Sequence, residues 1–463
     1  MRLTPLNLTT TSQKSNQLTW SKYKLTNKIP HLLPVFQLSQ AMARTSSLAP
    51  FGLQDFPEGI EPPITSNSVT RYDPEIVKQD ALSTRIVVHS RFPQLVQRFL
   101  DHKRRHGSAP EKAFYHAGWT WQQQTARLVE KRALVFMGGG DFTVLRSGEH
   151  IGSAHAEWDR VGTEEEGQNR HLFLKDYLSY DEIMLSSLVG VSGPSFFLND
   201  GRRNNIGRPA EPGEFEPRGI IVGLVGARFE RDDRMDSAFV LRDAHSPRQH
   251  PELRGIFFDF FGRRRKDPTA AFDERMYKAR IRITADVLFL EASRRAKAVG
   301  KKAHVYVVGL GLGVWAWREK GDQSWLYVKA FIKSLEELGE DVAHIGTVEF
   351  AWISGVLGLE QRSITFGASQ TAVDVRFSKR NPAEKLRGAD ESHLLVLSYA
   401  WDGNAFPGNE YWTGSLSATG DPAAACMSTI SELHNPMINP EFLGRIEVLD
   451  TTSAASGEQS QSQ

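Results

Sequence analysis

Cysteine is nearly absent from this chain: Cys426 stands alone among 463 residues. A single thiol excludes an intrachain disulfide and a cysteine-rich zinc site, and it points to a reducing compartment. Long hydrophobic runs are also missing. No stretch approaches the roughly eighteen apolar residues that a membrane-spanning helix needs. A dominant charge is missing as well, since the formal net charge is +1. No global field draws the chain to nucleic acid or to a membrane surface, and no basic patch of convincing size takes its place. What is present is a globular composition, 40% hydrophobic and 24% charged. That suffices to bury one large core or two ordinary ones.

Acid is missing from the N-terminus. The first 54 residues hold no Asp or Glu, six Lys or Arg, and many Ser and Thr. This resembles a mitochondrial transit peptide in composition, and it equally fits a disordered extension or an upstream start with Met42 as the true one. The expected compartment is cytoplasmic, with the mitochondrion as the alternative. The Ser- and Gln-rich tail at 451–463 reads as disordered. One domain is expected between these ends, over 55–450.

Within it, short β-branched apolar runs alternate with amphipathic helical stretches, the pattern of an α/β chain. "ALVFMGGGDFTVLR" (133–146) reads as strand, glycine turn, strand, and "RGIIVGLVGARFE" (218–230) as a buried strand. "LFLKDYLSYDEIMLSSLVGVSG" (172–193) reads as a helix around the middle, ending at glycines. The polar stretches 199–217 and 231–254 read as long surface loops. "KKAHVYVVGLGLGVWAW" (301–317) is a strand running into Gly309, Gly311 and Gly313. After it, Trp325, Val328, Phe331, Ile332, Leu335 and Leu338 form one helical stripe, with Gly339 as its stop. "DVAHIGTVEFAW" and "SHLLVLSYAWD" are two further strands, the second ending at Asp402. A last helix is expected from Asp421 as N-cap and Pro422 at its first turn, with Asn435-Pro436 as the stop. His434, past that helix, reads as solvated.

Strand, glycine turn and helix present bare N–H groups to a phosphate, although a tight connection explains the same glycines. "GLGLG" lacks the third-glycine spacing of a dinucleotide fingerprint. Glu336 and Glu337 sit where a ribose-binding acid would be sought but lie on the helix itself, which disfavours a nicotinamide-dependent oxidoreductase. Trp315 and Trp317 read as stacking groups or as core. The loop "SYAWDGNAFPGNEYWTG" (398–414) adds Asp402, Asn404, Asn409 and Glu410 at a strand's carboxyl end, where open α/β sheets bind ligands. Taken singly, each is ordinary turn chemistry, and Asp421 is explained by capping.

Taken together, "VVGLGLGVW", "YLSYDEIMLSSLVGVSGPSFFLNDG", "GLVGARFE" and "YAWDGNAFPGNEYW" followed by "GDPAAA" resemble a macrodomain-like family of arginine-specific (ADP-ribosyl)hydrolases, to which the bacterial effector MavL belongs. The resemblance covers roughly 130–447. It implies a three-layer α/β sandwich with a mixed central sheet and helices on both faces, and ADP-ribose in a cleft built mainly from 300–447. It implies three carboxylates, matched here by Asp402, Glu410 and Asp421, with Glu at 410 where Asp is expected. It implies that Gly309, Gly311 and Gly313, with Val314 and Trp315, hold the diphosphate. Asn199, Asn404 and Asn409 are expected at the ribose or pyrophosphate, and Trp412 on the cleft wall.

The chemistry agrees with the resemblance. A guanidinium is a planar cation with forked donors, best gripped by carboxylates. Cleaving its bond to ribose passes through a ribosyl cation, which one carboxylate stabilises while another orients or deprotonates water. Asp402 is expected on the water or C1 side, Glu410 on the guanidinium, and Asp421 in either role. No metal-ligand spacing appears near these acids, so a metal-independent mechanism without cofactor is expected. The expected partners are ADP-ribose and a mono-ADP-ribosylated protein. The alternative is a reader that binds ADP-ribose without cleaving it, for which three acids near a diphosphate have little use.

Overall fold

The computed structural model describes residues 47–56, 68–137, 142–152, 154–202, 208–229, 231–242, 248–263, 270–313, 315–317, 319, 321, 323–353, 362–366, 371–401, 405–406 and 429–451. All of these lie in one compact unit, Ser47–Gln463.

Its strands are β1 Arg85–His89, β2 Val135–Met137, β3 Phe142–Val144, β4 His150–Ile151, β5 Gly190–Phe196, β6 Arg218–Leu224, β7 Ala303–Val307, β8 Ile345–Ala351, β9 Arg362–Phe366, β10 Thr371–Ser378, β11 Leu394–Ala400 and β12 Ile446–Leu449. Nine of them form one mixed sheet in the order β12-β1-β5-β6-β11-β7-β8-β10-β9. The five from β6 to β10 run parallel. β5 is antiparallel to both β1 and β6, and β9 to β10. β2, β3 and β4 make a separate antiparallel ribbon, as the glycine turn between two short apolar runs predicts.

The parallel strands read as continuous apolar runs because both faces of the sheet are buried. Along β11, Leu395, Leu397 and Tyr399 enter one apolar cluster while Val396 enters another. β7 divides likewise, with Tyr306 on one side and Ala303, Val305 and Val307 on the other. The period-two alternation thus sorts side chains between two cores rather than between core and water. On the second of these faces lie the helices Glu274–Ala298 and Gln323–Leu338. The helix Gln323–Leu338 covers the predicted stripe, and Gly339 ends it at φ +51°.

Four expectations change. The segment 172–193 is helical around its middle, over Tyr180–Ser186, as expected, but the helix does not run to the glycines: Gly190 and Gly193 lie inside β5. A Cβ on Gly190 would lie 2.9 Å from Val87 Cγ2, and one on Gly193 2.6 Å from Thr84 Oγ1. These glycines let neighbours approach closely instead of stopping a helix. The stretch 231–254 is not merely loop: it contains the buried helix Ser237–Val240 and the start of the helix Pro251–Phe260. His434 is buried beside Gly193 rather than solvated. Packing also reaches upstream of residue 55, since Leu48, Phe51 and Leu53 join Val69, Val77 and Leu433 in a satellite core. Among the described residues, no helix is long and apolar enough to cross a membrane.

Candidate active site

The parallel block points its carboxyl ends to one edge, and three chain segments meet there. β11 lies between β6 and β7. The strand order changes direction at this point, the place where open α/β sheets form a crevice.

The first segment is the turn after β7. Val308 N–H donates to Ser398 Oγ at 2.9 Å, which ties the turn to β11. Tyr327, from the helix Gln323–Leu338, donates its hydroxyl to the Val308 carbonyl at 2.8 Å. Burial raises that hydroxyl's pKa well above the ordinary range and keeps it a donor. The N–H groups of Leu310 and Leu312 are used within the turn, on Val308 and Gly309 carbonyls. Those of Gly309, Gly311 and Gly313 bond to no other described residue. A glycine turn at a strand end, with N–H groups of this kind, suits an anion.

The second segment, after β6, packs against that turn backbone to backbone. A Cβ on Gly226 would lie 2.3 Å from the Leu310 carbonyl carbon. Phe229 N–H donates to the Trp315 carbonyl at 3.1 Å, and the buried Arg228 guanidinium lies 4.3 Å from the Trp315 ring centre. Arg228 N–H donates to Asp236 Oδ2 at 2.9 Å. The other Asp236 oxygen accepts from Arg280 Nε at 3.0 Å, an ion pair buried on both sides. Arg280 Nη2 also donates to the carbonyls of Val225 and Gly226, each at 3.3 Å. Arg280 therefore fixes the carbonyls just past β6, and Asp236 balances its charge.

The third segment leaves β11. Trp401 N–H donates to the Leu224 carbonyl at 2.8 Å, and its indole N–H to the Ala405 carbonyl at 3.1 Å. Ala405 forms a parallel bridge with Ala133, and Phe406 N–H donates to the Ala133 carbonyl at 2.9 Å. The buried Arg132 guanidinium lies 3.7 Å from the Trp401 ring centre. It is held by the Leu128 carbonyl at 2.8 Å and Ser186 Oγ at 2.7 Å. Asp402 and Asn404 lie outside the described residues, but their neighbours Trp401 and Ala405 are both anchored at this edge.

The structure therefore brings the turn that carries Gly309, Gly311 and Gly313, with Trp315 after it, against the segment that follows β6, and bonds Trp401 to Leu224 at the end of β6. Val314, Asn409, Glu410, Trp412 and Asp421 lie outside the described residues with Asp402 and Asn404. Asn199 is elsewhere. β5 runs antiparallel to β6 and Phe196 pairs with Arg218, so Asn199 follows the strand's end at the opposite edge of the sheet. Its side chain is spent locally: Oδ1 accepts from Gly201 N–H at 2.7 Å and Nδ2 donates to the Arg208 carbonyl at 2.9 Å. Gly226, Arg228, Asp236, Arg280 and Arg132 escaped the sequence reading. The glycine of "VGARFE", just past a buried strand, was the one available signal, since buried arginines look like surface charges until their partners are known.

The sequence model of the family described as ADP-ribosylhydrolase MavL-like matches residues 55–250 and 258–454. ADP-ribosylarginine hydrolase CG2909 of Drosophila melanogaster is 35% identical over 405 residues, covering 79% of this chain and 78% of that one. ADP-ribosylarginine hydrolase CG3568 of the same organism is 37% identical over 405 residues, with the same coverage.

Proposed function

The chain belongs to the MavL-like ADP-ribosylhydrolase family, and from that premise we propose that it removes mono-ADP-ribose from arginine side chains of proteins. The observation that carries the reading is the junction of the glycine turn after β7 with the end of β11, sealed by Val308 N–H on Ser398 and Trp401 N–H on Leu224. It ties the glycine turn, which this reading takes as the anion site, to the strand that precedes Asp402. We read the fold as macrodomain-like, a three-layer sandwich with its cleft at this edge, and the burial of both sheet faces supports that reading. The single cysteine supports a reducing, cytoplasmic setting.

In this reading the diphosphate lies on the N–H groups of Gly309, Gly311 and Gly313, with the Arg228 cation behind Trp315 adding positive charge. Asn404 and Asn409 serve the ribose and pyrophosphate, and Trp412 walls the cleft. Asp402 takes a proton from water as its oxygen bonds to the ribose C1, while the bond from C1 to the guanidinium nitrogen breaks. The departing nitrogen keeps the electron pair of that bond and takes up the proton from Asp402, which restores the arginine guanidinium and the Asp402 carboxylate. Glu410 holds the guanidinium, and Asp421 supports either partner. A carboxylate base contributes typically ~10²–10⁴-fold, and charge stabilisation at C1 adds to it.

The test uses matched peptides carrying ADP-ribose on arginine or on glutamate. Release of ADP-ribose from the arginine peptide alone is expected. Release from neither, with ADP-ribose still binding in calorimetry, would make the protein a reader and end the hydrolase reading.

A further inference from the structure

A second cluster of chemistry-bearing residues, none of them named in the candidate site, lies between the helices Phe92–His106 and Pro251–Phe260. His102 and His106 are one helical turn apart and therefore share a face. Glu252, in the first turn of the opposing helix, reaches both: its Oε2 is 3.7 Å from His102 Nδ1 and 2.9 Å from His106 Nε2. Three candidate ligand atoms lie within 4.8 Å of one another. His102 is 2% exposed, and its buried Nδ1 has no hydrogen-bond partner. An orphaned buried nitrogen costs free energy unless something binds it.

We propose that His102 Nδ1, His106 Nε2 and Glu252 Oε2 bind a borderline divalent cation of the Zn²⁺ class, linking the two helices. Two imidazoles and a carboxylate are a known zinc donor set, with water as the fourth ligand. The spacing also fits. Ligand atoms about 2 Å from a tetrahedral metal lie roughly 3.3 Å apart, between the two distances observed. Arg105 Nη2 holds the other Glu252 oxygen at 2.5 Å, which aims Oε2 at the histidines, as outer partners of metal ligands do. His250 stacks on the His106 ring with centroids 5.1 Å apart and lies tilted by 50° against the His102 ring, 4.8 Å away. Its Nδ1 accepts from Glu252 N–H, so in the neutral ring the proton sits on Nε2 and His250 walls the site without ligating. All three imidazoles line a cavity of about 440 Å³, which gives an ion access.

Lys103, next to His102 in the chain, does not compete for Glu252, because its ammonium is taken up by Glu111 and Asp181, each at 2.6 Å. The other such cluster, His304, Asp390 and His393, is a poorer candidate. There Arg376 already pairs with Asp390, and Arg380 with the adjoining Glu349.

The experiment is equilibrium dialysis of the full chain against Zn²⁺, with metal content measured in the wild type and in His106→Ala, Glu252→Gln and, as a control, His393→Ala. Both changed ligand residues are partly exposed, so these variants are expected to fold, which circular dichroism checks. The wild type and the control should hold one more Zn²⁺ per chain than the two ligand variants. Co²⁺ in its place should give tetrahedral visible bands in the wild type alone. A wild type without Zn²⁺, or a stoichiometry that His106→Ala and Glu252→Gln leave unchanged, overturns the proposal. A failure here leaves the hydrolase reading standing, since none of these residues belongs to its machinery.

Discussion

Gly311 packs backbone to backbone against Ala227: its φ is +74°, and a Cβ added to it would lie 2.4 Å from the Ala227 carbonyl oxygen. Gly313, two residues on, is exposed, has no positive φ, and has nothing within 4 Å of an added Cβ. One glycine of the turn therefore serves the fold, while the other has no such packing duty, and the proposed function gives it to the diphosphate.

Gly311→Ala should lower stability in urea by more than the ~1–2 kcal/mol of a left-handed non-glycine residue, because the clash adds to the strain. Gly313→Ala should leave the urea midpoint unchanged and weaken ADP-ribose binding in calorimetry. Unchanged affinity in Gly313→Ala would take the diphosphate away from this turn.

Asp402→Asn should lower kcat on an ADP-ribosyl-arginine peptide by roughly 10²–10⁴-fold, the range for a lost acid–base group, and Glu410→Gln should lower turnover of the same peptide by loosening the grip on the guanidinium. ADP-ribose affinity, measured separately, should hold or rise, since a negative charge near a diphosphate is removed. Loss of binding in both would make them recognition residues.

Trp401→Phe removes the indole N–H bond to Ala405, which closes the short segment containing Asp402. The stability cost should be about 1 kcal/mol, the net worth of one hydrogen bond. The kinetic cost should be larger, up to ~10²-fold in kcat, because small displacements of a catalytic group are expensive. Thermal melts and turnover measured on the same preparation separate the two.

Glu432 and His434 should give opposite pH slopes to stability. Burial raises the Glu432 pKa to about 7, so the folded state binds a proton that the unfolded state loses from about 4.5 upward. Its contribution is complete below pH 4.5 and is lost as pH rises to about 7, on the order of 3 kcal/mol. Burial lowers the His434 pKa to about 3, so stability is lost as pH falls from 6.5 toward 3. Glu432→Gln should abolish the alkaline-side loss and unmask the acid-side one, and His434→Gln the reverse, in denaturant midpoints across pH 4 to 8.

Asn199→Ala should destabilise by about 1–2 kcal/mol through the two local bonds it loses, without changing ADP-ribose affinity. A weakened affinity with unchanged stability would restore Asn199 to the ligand.

The sequence by itself determined the strands at 218–224, 303–307, 345–351 and 394–400 and the helix at 323–338, because a buried strand or an amphipathic helix writes its period into a short window. It also pointed to the glycine turn and to the strand end at Asp402, since both are local features. Only the tertiary structure decided that β11 inserts between β6 and β7, which sets these two features side by side and sends Asn199 to the other edge. It alone made Gly190 and Gly193 strand residues, through the close approach of Val87 and Thr84, and it alone buried Arg132, Arg228, Arg280 and His434. The reason is common to all of these: strand order, close approach and charge burial depend on partners far apart in sequence, which no local pattern encodes.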